Sequence, residues 1–291
     1  MRLVTVLLAL VLLPVLPSRA SSIVEFNISG VGKLVVELYD RDKPVTVSNF
    51  LKYVTSGVWS NMILHRATND FVVQGGGIAI TNRFTNPQFV SAPNFGMITN
   101  EYDVGRMISN DYGTIVMAKI DPSQPGGGPD TASSQWFFNL ADNGLRDPHY
   151  LDLDNGGFTV FGRVISDTNI LNKMNLALTN SVIGTLDLGG VLSETPYLLS
   201  TNPTVSYNDL LYTQVRLLQL DMAMQARVLP SGAQEISWNS FSNRPNIIEY
   251  VTNVAATNWQ PLATNLGNGQ RMALTNSTPD TNRFYRVRFT Y

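Results

Sequence analysis

Residues 64 to 77 read LHRATNDFVVQGGG and hold three groups at fixed spacing: the guanidinium of Arg66, the ring of Phe71 and the amide of Gln74. Around them lie short strand-like runs, rich in β-branched and apolar side chains and bounded by Asn, Asp and Gly. Gly75, Gly76 and Gly77 read as a bend. No Gly-Lys-Ser/Thr follows them, so they do not form a phosphate-cradling loop. His65 reads as a buried, hydrogen-bonded neighbour of this segment. On residue type alone, Arg66 is an ordinary solvated or salt-bridged side chain, and Phe71 is core.

Three further blocks follow in order: GTIVMAKI (113–120), ASSQWFFNLADN (132–143) and GGFTVFGRVI (156–165). Taken with the first, they resemble the cyclophilins, the peptidyl-prolyl cis/trans isomerases. In that family an His-Arg pair is followed by Phe five and Gln eight residues after the Arg, then by glycines. The wording SQWFFNLADN is similar to bacterial members. Four ordered motifs carry far more weight than one pattern match. The resemblance implies a mainly β fold, a closed antiparallel barrel capped by two helices. Composition alone does not choose that barrel over other all-β or α+β arrangements.

The implied activity fits a physical requirement. Turning a peptide bond meets a barrier of ~18–20 kcal/mol, yet the cis and trans forms of an X-Pro bond differ by only ~0.5–1 kcal/mol. A catalyst must therefore lower a barrier between nearly equal states. At the twisted transition state the lone pair localises on the prolyl nitrogen, and a donor aimed there binds that state best. The resemblance assigns this donor to Arg66, whose guanidinium stays protonated and rigid, with Phe71 and Gln74 beside it as catalytic positions and Gln74 orienting the Arg. It implies substrate-binding positions at Val72, Ala118, Lys119, Gln135, Phe137, Tyr150, Leu151 and Phe158. The chain departs from the common pattern at several of these. Val72 replaces a methionine, Lys119 an asparagine and Phe158 a histidine, while Tyr150 is nearest to the usual tryptophan. No cofactor and no metal are implied.

Other chemistries find little support. There are no cysteines, which excludes disulfides and thiol nucleophiles, and the two histidines, His65 and His149, have no partner pattern for a triad or a zinc site. His149 reads as a loop residue. Asp152, Asp154 and Asn155 faintly resemble a calcium loop that no Glu closes. A net charge of -2 with no basic run gives no footprint for nucleic acid.

Residues 1–20 read as a removable export signal: Arg2, the apolar run VTVLLALVLLPVL, then Ser18-Arg19-Ala20 before the cut. The run from Leu3 to Leu16 is shorter than the ~20 residues needed to span a bilayer. The mature chain is expected to be exported, to periplasm, cell surface or medium, with proline-containing exported polypeptides as its partners and no membrane span.

The isomerase domain is expected over residues 21–225. KLVVELY (33–39) reads as a strand, Pro44 opens a helix that Gly57 ends, and a second helix starts near Asp167 or Thr168. Residues 180–209 read as a long excursion before a last barrel strand at 210–220. The pattern resets at VLPSG (228–232). Residues 233–291 then offer five alternating strand candidates and no helix, an accessory domain similar to an immunoglobulin or fibronectin β-sandwich, with Trp238 and Trp259 in its core and an envelope or surface ligand as its implied partner. Two rival readings stand beside the enzyme. One is a non-catalytic cyclophilin-like peptide-binding chaperone; the other is a surface-adhesion protein acting through the tail, for which Trp259 is a candidate contact.

Overall fold

The computed structural model describes residues 21–59, 61–199, 204–219, 224–240, 245–253, 258–268, 271–277 and 283–289; the expected leader at 1–20 lies outside them. Strands β1 (Ile23–Ile28) and β2 (Gly32–Leu38) form a hairpin. Their alternation sends Val24, Phe26, Ile28, Leu34, Val36 and Leu38 inward to full burial, as period-two patterning requires of a half-buried strand.

Helix α1 (Pro44–Ser56) has Pro44 in its first turn and ends on Gly57, whose φ of 74° is the left-handed conformation that glycine adopts freely. Val47, Phe50, Leu51 and Tyr53 bury its inner face, while Val45 stays outside. The N-terminus is capped from a distance. The Glu101 carboxylate accepts from the backbone N–H of Val45 at 3.0 Å and of Thr46 at 2.7 Å, satisfying two of the donors that a helix start leaves open. Next to it the buried ammonium of Lys43 donates to the carbonyls of Glu101, Tyr102 and Val104 at 2.7, 3.0 and 2.6 Å. Burial lowers the pKa of this lysine.

The remaining strands of this part are β3 (Met62–Ile63), β4 (Arg66–Ala67), β5 (Val72–Gly75), β6 (Ile78–Thr81), β7 (Gln88–Ser91), β8 (Thr114–Met117), β9 (Trp136–Asn139), β10 (Val160–Val164), β11 (Ile183–Leu186), β12 (Thr195–Leu198) and β13 (Tyr212–Gln219). Eleven of these thirteen strands make one antiparallel sheet in the order β4-β5-β9-β8-β10-β2-β1-β13-β3-β6-β7. The sheet curls until its end meets its own chain. β3 and β4 are one strand that changes partners at a corner, where Leu64 N–H donates to Leu211 and His65 N–H to Gln74. That corner closes the barrel and leaves β6 and β7 as a flap beyond it. The interior is aromatic: Phe26 lies 4.9 Å from Trp136 and 5.1 Å from Phe138, and Phe50 lies 5.0 Å from Phe161, ring centre to ring centre.

The second helix, α2 (Asn169–Asn172), is a single turn, with Leu171 and Met174 beneath it. Its first N–H is met by Asp167 Oδ1 at 2.9 Å from Asn169 N. The expected excursion at 180–209 folds into the separate hairpin β11–β12.

Beyond β13 come β14 (Gln225–Val228), β15 (Gln234–Asn239), β16 (Pro245–Val251), β17 (Gln260–Leu266), β18 (Arg271–Asn276) and β19 (Phe284–Phe289). They form two three-stranded sheets, β14-β15-β18 and β17-β16-β19, which share a core of Ile236, Trp238 and Ile248. Trp238 is fully buried and its indole N–H donates to Asn246 Oδ1. Trp259 is only half-buried, with the Arg286 guanidinium 4.4 Å over its ring. β14 joins this tail although it starts at 225, ahead of the reset at 228–232.

Candidate active site

The site is built on the strand corner and its neighbours. Arg66 on β4 pairs directly with Gln74 on β5, and Gln74 in turn faces Phe137 on β9. Between β4 and β5 the chain turns tightly, with Thr68 N–H donating to Val72 and Phe71 N–H to Thr68. Asp70 sits in the turn at a φ of 49° and is held by Arg146 Nη2 at 2.6 Å and by Asn175. That clamp delivers Phe71 to the mouth of the barrel.

Phe71, Val72, Phe137 and Leu151 meet there in one apolar cluster with Val116 and Val160, and Ala118 and Phe158 pack against it. The Arg66 guanidinium lies over the rim, 5.9 Å from the centre of the Phe71 ring. Phe137 and Phe158 meet edge to face at 6.1 Å. A buried amide network supports the walls. Asn143 Nδ2 donates to the Phe71 carbonyl and to Asn139 Oδ1, both at 2.8 Å, and Asn110 Nδ2 donates to Asp152 Oδ1 at 2.8 Å and to the Phe158 carbonyl at 3.1 Å. Asn139 links the two halves through Asn110 and Thr114. Asp152 is thus an internal acceptor that fixes the loop carrying Leu151.

The polar side of the site follows from the glycines. Gly76 has a φ of 86°, and a Cβ there would fall 2.3 Å from the Ser134 carbonyl; at Gly77 a Cβ would strike the Gln135 side chain at 2.7 Å. The bend therefore lets Gln135 lie close, and Gln74 Nε2 donates to Gln135 Oε1 at 2.8 Å. Beside it, His65 Nδ1 is buried with no hydrogen-bond partner among the described residues, although a hydrogen-bonded ring was expected there. His65 is buried, and loss of solvation pushes its pKa down to about 4, so its ring is neutral near pH 7. It is a structural neighbour of the pocket rather than an acid or base.

Some expected positions sit differently. Gln74 spends its amide on Gln135; the hydrogen bond on Arg66 comes from Glu194, whose Oε2 accepts from Arg66 Nε at 2.8 Å. Lys119 turns to the neighbouring loop, donating to the carbonyls of Asn155 and Gly157 at 2.7 and 2.8 Å with its ammonium 4.4 Å over Phe158. Burial brings its pKa down to about 8. Tyr150 is exposed, its hydroxyl 3.3 Å from Asp147 Oδ1. His149, read from the sequence as a loop residue, stacks its ring on Phe71 with centres 3.6 Å apart and planes 16° apart. One face of Phe71 is therefore already covered. Burial, then the charges of Arg66 and Arg146, lower the His149 pKa.

Comparison with known proteins agrees with this geometry. The family described as cyclophilin type peptidyl-prolyl cis-trans isomerase/CLD matches residues 23–186. The peptidyl-prolyl cis-trans isomerase cyp18 of Streptomyces antibioticus is 37% identical over 168 residues, covering 57% of this chain and 91% of that protein. Peptidyl-prolyl cis-trans isomerase A of Dickeya dadantii is 34% identical over 156 residues, covering 53% and 72%. Isomerase B of Escherichia coli is 31% identical over 143 residues, covering 49% and 78%. The match runs from β1 to the end of β11 and takes in the whole arginine-rimmed pocket: this chain belongs to the cyclophilin-type peptidyl-prolyl cis-trans isomerases.

Proposed function

We propose that this isomerase works through Arg66 on prolyl segments of exported polypeptides. The observation that carries the reading is the placement of the Arg66 guanidinium at the rim of an apolar pocket, 5.9 Å from Phe71, with terminal nitrogens that have no hydrogen-bond partner among the described residues. A prolyl ring enters against Phe71, Val72, Phe137 and Leu151, and the amide it carries lies under the guanidinium. As the amide twists, the nitrogen becomes a hydrogen-bond acceptor that neither ground state offers, and the Arg66 donors strengthen their bond to it there. Gln74 holds the Gln135 oxygen, which leaves the Gln135 amide N–H to the substrate backbone. Lys119 and Tyr150 bound the site, Lys119 by bracing the 155–157 loop. No proton transfer is required, in keeping with a neutral His65.

The leader-like residues 1–20 support an exported location, with client chains that cross the same membrane. The tail is read as an immunoglobulin- or fibronectin-like docking module, supported by its two-sheet packing around Trp238. Adhesion through Trp259 has no observation in its favour, since Arg286 covers that ring. The deciding experiment is a prolyl-peptide isomerisation assay on the chain beginning at Ser21, beside an Arg66→Ala variant. Equal rates from the two folded proteins would end the assignment of Arg66.

A further inference from the structure

We infer that Glu194, in the connection between β11 and β12, is a positioning residue for Arg66. The inference rests on the role given to Arg66 above. β4 is the end strand of the curled sheet, so its outer side has no neighbouring strand within that sheet. The segment entering β12 takes that place. The Glu194 carbonyl accepts from Ala67 N–H at 2.9 Å, and the Thr195 hydroxyl donates to the His65 carbonyl at 3.3 Å. These two bonds, one between main chains and one from a side-chain hydroxyl, bracket Arg66 and fix where the Glu194 side chain begins. Its Oε2 then accepts from Arg66 Nε at 2.8 Å and from the Thr68 hydroxyl at 2.9 Å. Two donors on one oxygen hold the carboxylate still.

The choice of Nε matters. A guanidinium is planar, so a bond at Nε sets the plane and directs the terminal nitrogens away from the carboxylate. Among the described residues those terminal donors have no partner, which leaves them for a substrate amide. Glu194 lies at residue 194, past the family match that ends at 186.

As plain stabilisation the pair counts for little. Its side chains are 38% and 40% exposed, and such exposed pairs are worth ~0–1 kcal/mol. Catalytic misplacement is costlier, since a shift of about 1 Å in a reacting group can cost ~10²-fold. This difference in scale makes the test clean.

Steady-state isomerisation of a prolyl peptide should be measured for wild type and for Glu194→Ala, Glu194→Asp and Glu194→Gln, each with its melting temperature. Gln keeps the reach and an acceptor oxygen, whereas Asp keeps the charge and draws it back by one methylene. The expected order is Gln near wild type, with Asp and Ala slower by roughly tenfold. The loss should fall on kcat, with KM within twofold and folding intact. In an Arg66→Ala background, Glu194→Ala should cost nothing more, because the two act as one unit. Wild-type kcat in both Glu194→Ala and Glu194→Asp, beside a slow Arg66→Ala, overturns the positioning role and leaves Arg66 standing. Additive losses in the double variant place Glu194 in another task and overturn it as well. A fast Arg66→Ala removes the role of Arg66 itself and with it this inference. Should Glu194→Ala fail to fold, the Asp and Gln variants decide by their order alone.

Discussion

Arg66 concentrates the argument at the scale of single residues. It is the only cation over the Phe71 ring among the described residues, and its removal should lower kcat/KM by ~10²–10³, the usual loss for one preorganised donor. Arg66→Lys should not restore the rate, since an ammonium has neither the planar fork nor an Nε for Glu194 to hold. A peptide isomerisation assay on both variants, with circular dichroism to show that each is folded, checks this. Much of the pocket was legible in the sequence because its residues fall within or beside the ordered motifs that carry the family resemblance: Arg66 and Gln74 are cross-strand partners, and Phe71, Val72, Phe137 and Leu151 meet in one cluster. Glu194 was not legible. It acts across 128 positions of chain, from a segment whose Gly, Ser and Thr content carries no periodic signal. His149 escaped for the same reason, because a ring stacked from a loop leaves no pattern in the spacing of its neighbours.

Elements show the same division. Helix α1 was readable from Pro44 to Gly57 because both ends carry backbone chemistry, whereas its cap was not, since Glu101 reaches the helix from 55 positions away. Replacing Glu101 by Ala would leave two donors open and remove one of the carboxylates near Lys43, beside Asp42 and Asp103. The expected loss is about 2 kcal/mol, at the upper end for a lost N-cap, read as a fall in urea midpoint with an unchanged slope. A variant as stable as wild type would show that the cap is dispensable. The run NMILHRA (61–67) reads in sequence as one strand and is split into β3 and β4, because closing a barrel forces a corner where the ladder changes partners. The second helix shrinks to one turn for want of an amphipathic run beyond Met174. β1, β6, β7, β11, β12 and β14 were missed as strands; all but β1 are only four residues long.

At the scale of the whole molecule, two consequences can be measured. His65 titrates near pH 4 when folded and near 6.5 when unfolded. Between these values the unfolded chain binds more protons, so stability falls as pH drops from about 6.5 toward about 4, by on the order of 3 kcal/mol in all. The His149 pKa is lowered as well and adds in the same direction. In urea titrations at stepped pH, His65→Gln should flatten this slope; an unchanged slope would assign the acid sensitivity to other groups. The second consequence concerns the tail. Among the described residues, every strand pairing from β14 to β19 is made within 225–289, and the core around Trp238 is a cluster separate from the aromatic interior of the barrel. Phe284–Phe289 pairs with β16 of the tail rather than extending a barrel edge. A chain ending at Leu220 keeps β13 between β1 and β3, and so keeps the barrel closed. It should isomerise prolyl peptides within about twofold of the full-length rate, as expected for domains joined by few contacts. Its melting temperature should match the barrel transition of the full chain. What it should lose is placement, seen as release from the envelope or surface fraction of cells that express it. A large fall in melting temperature together with lost activity would make residues 225–289 part of the enzyme's own fold, and the docking role of the tail would fall with the domain division.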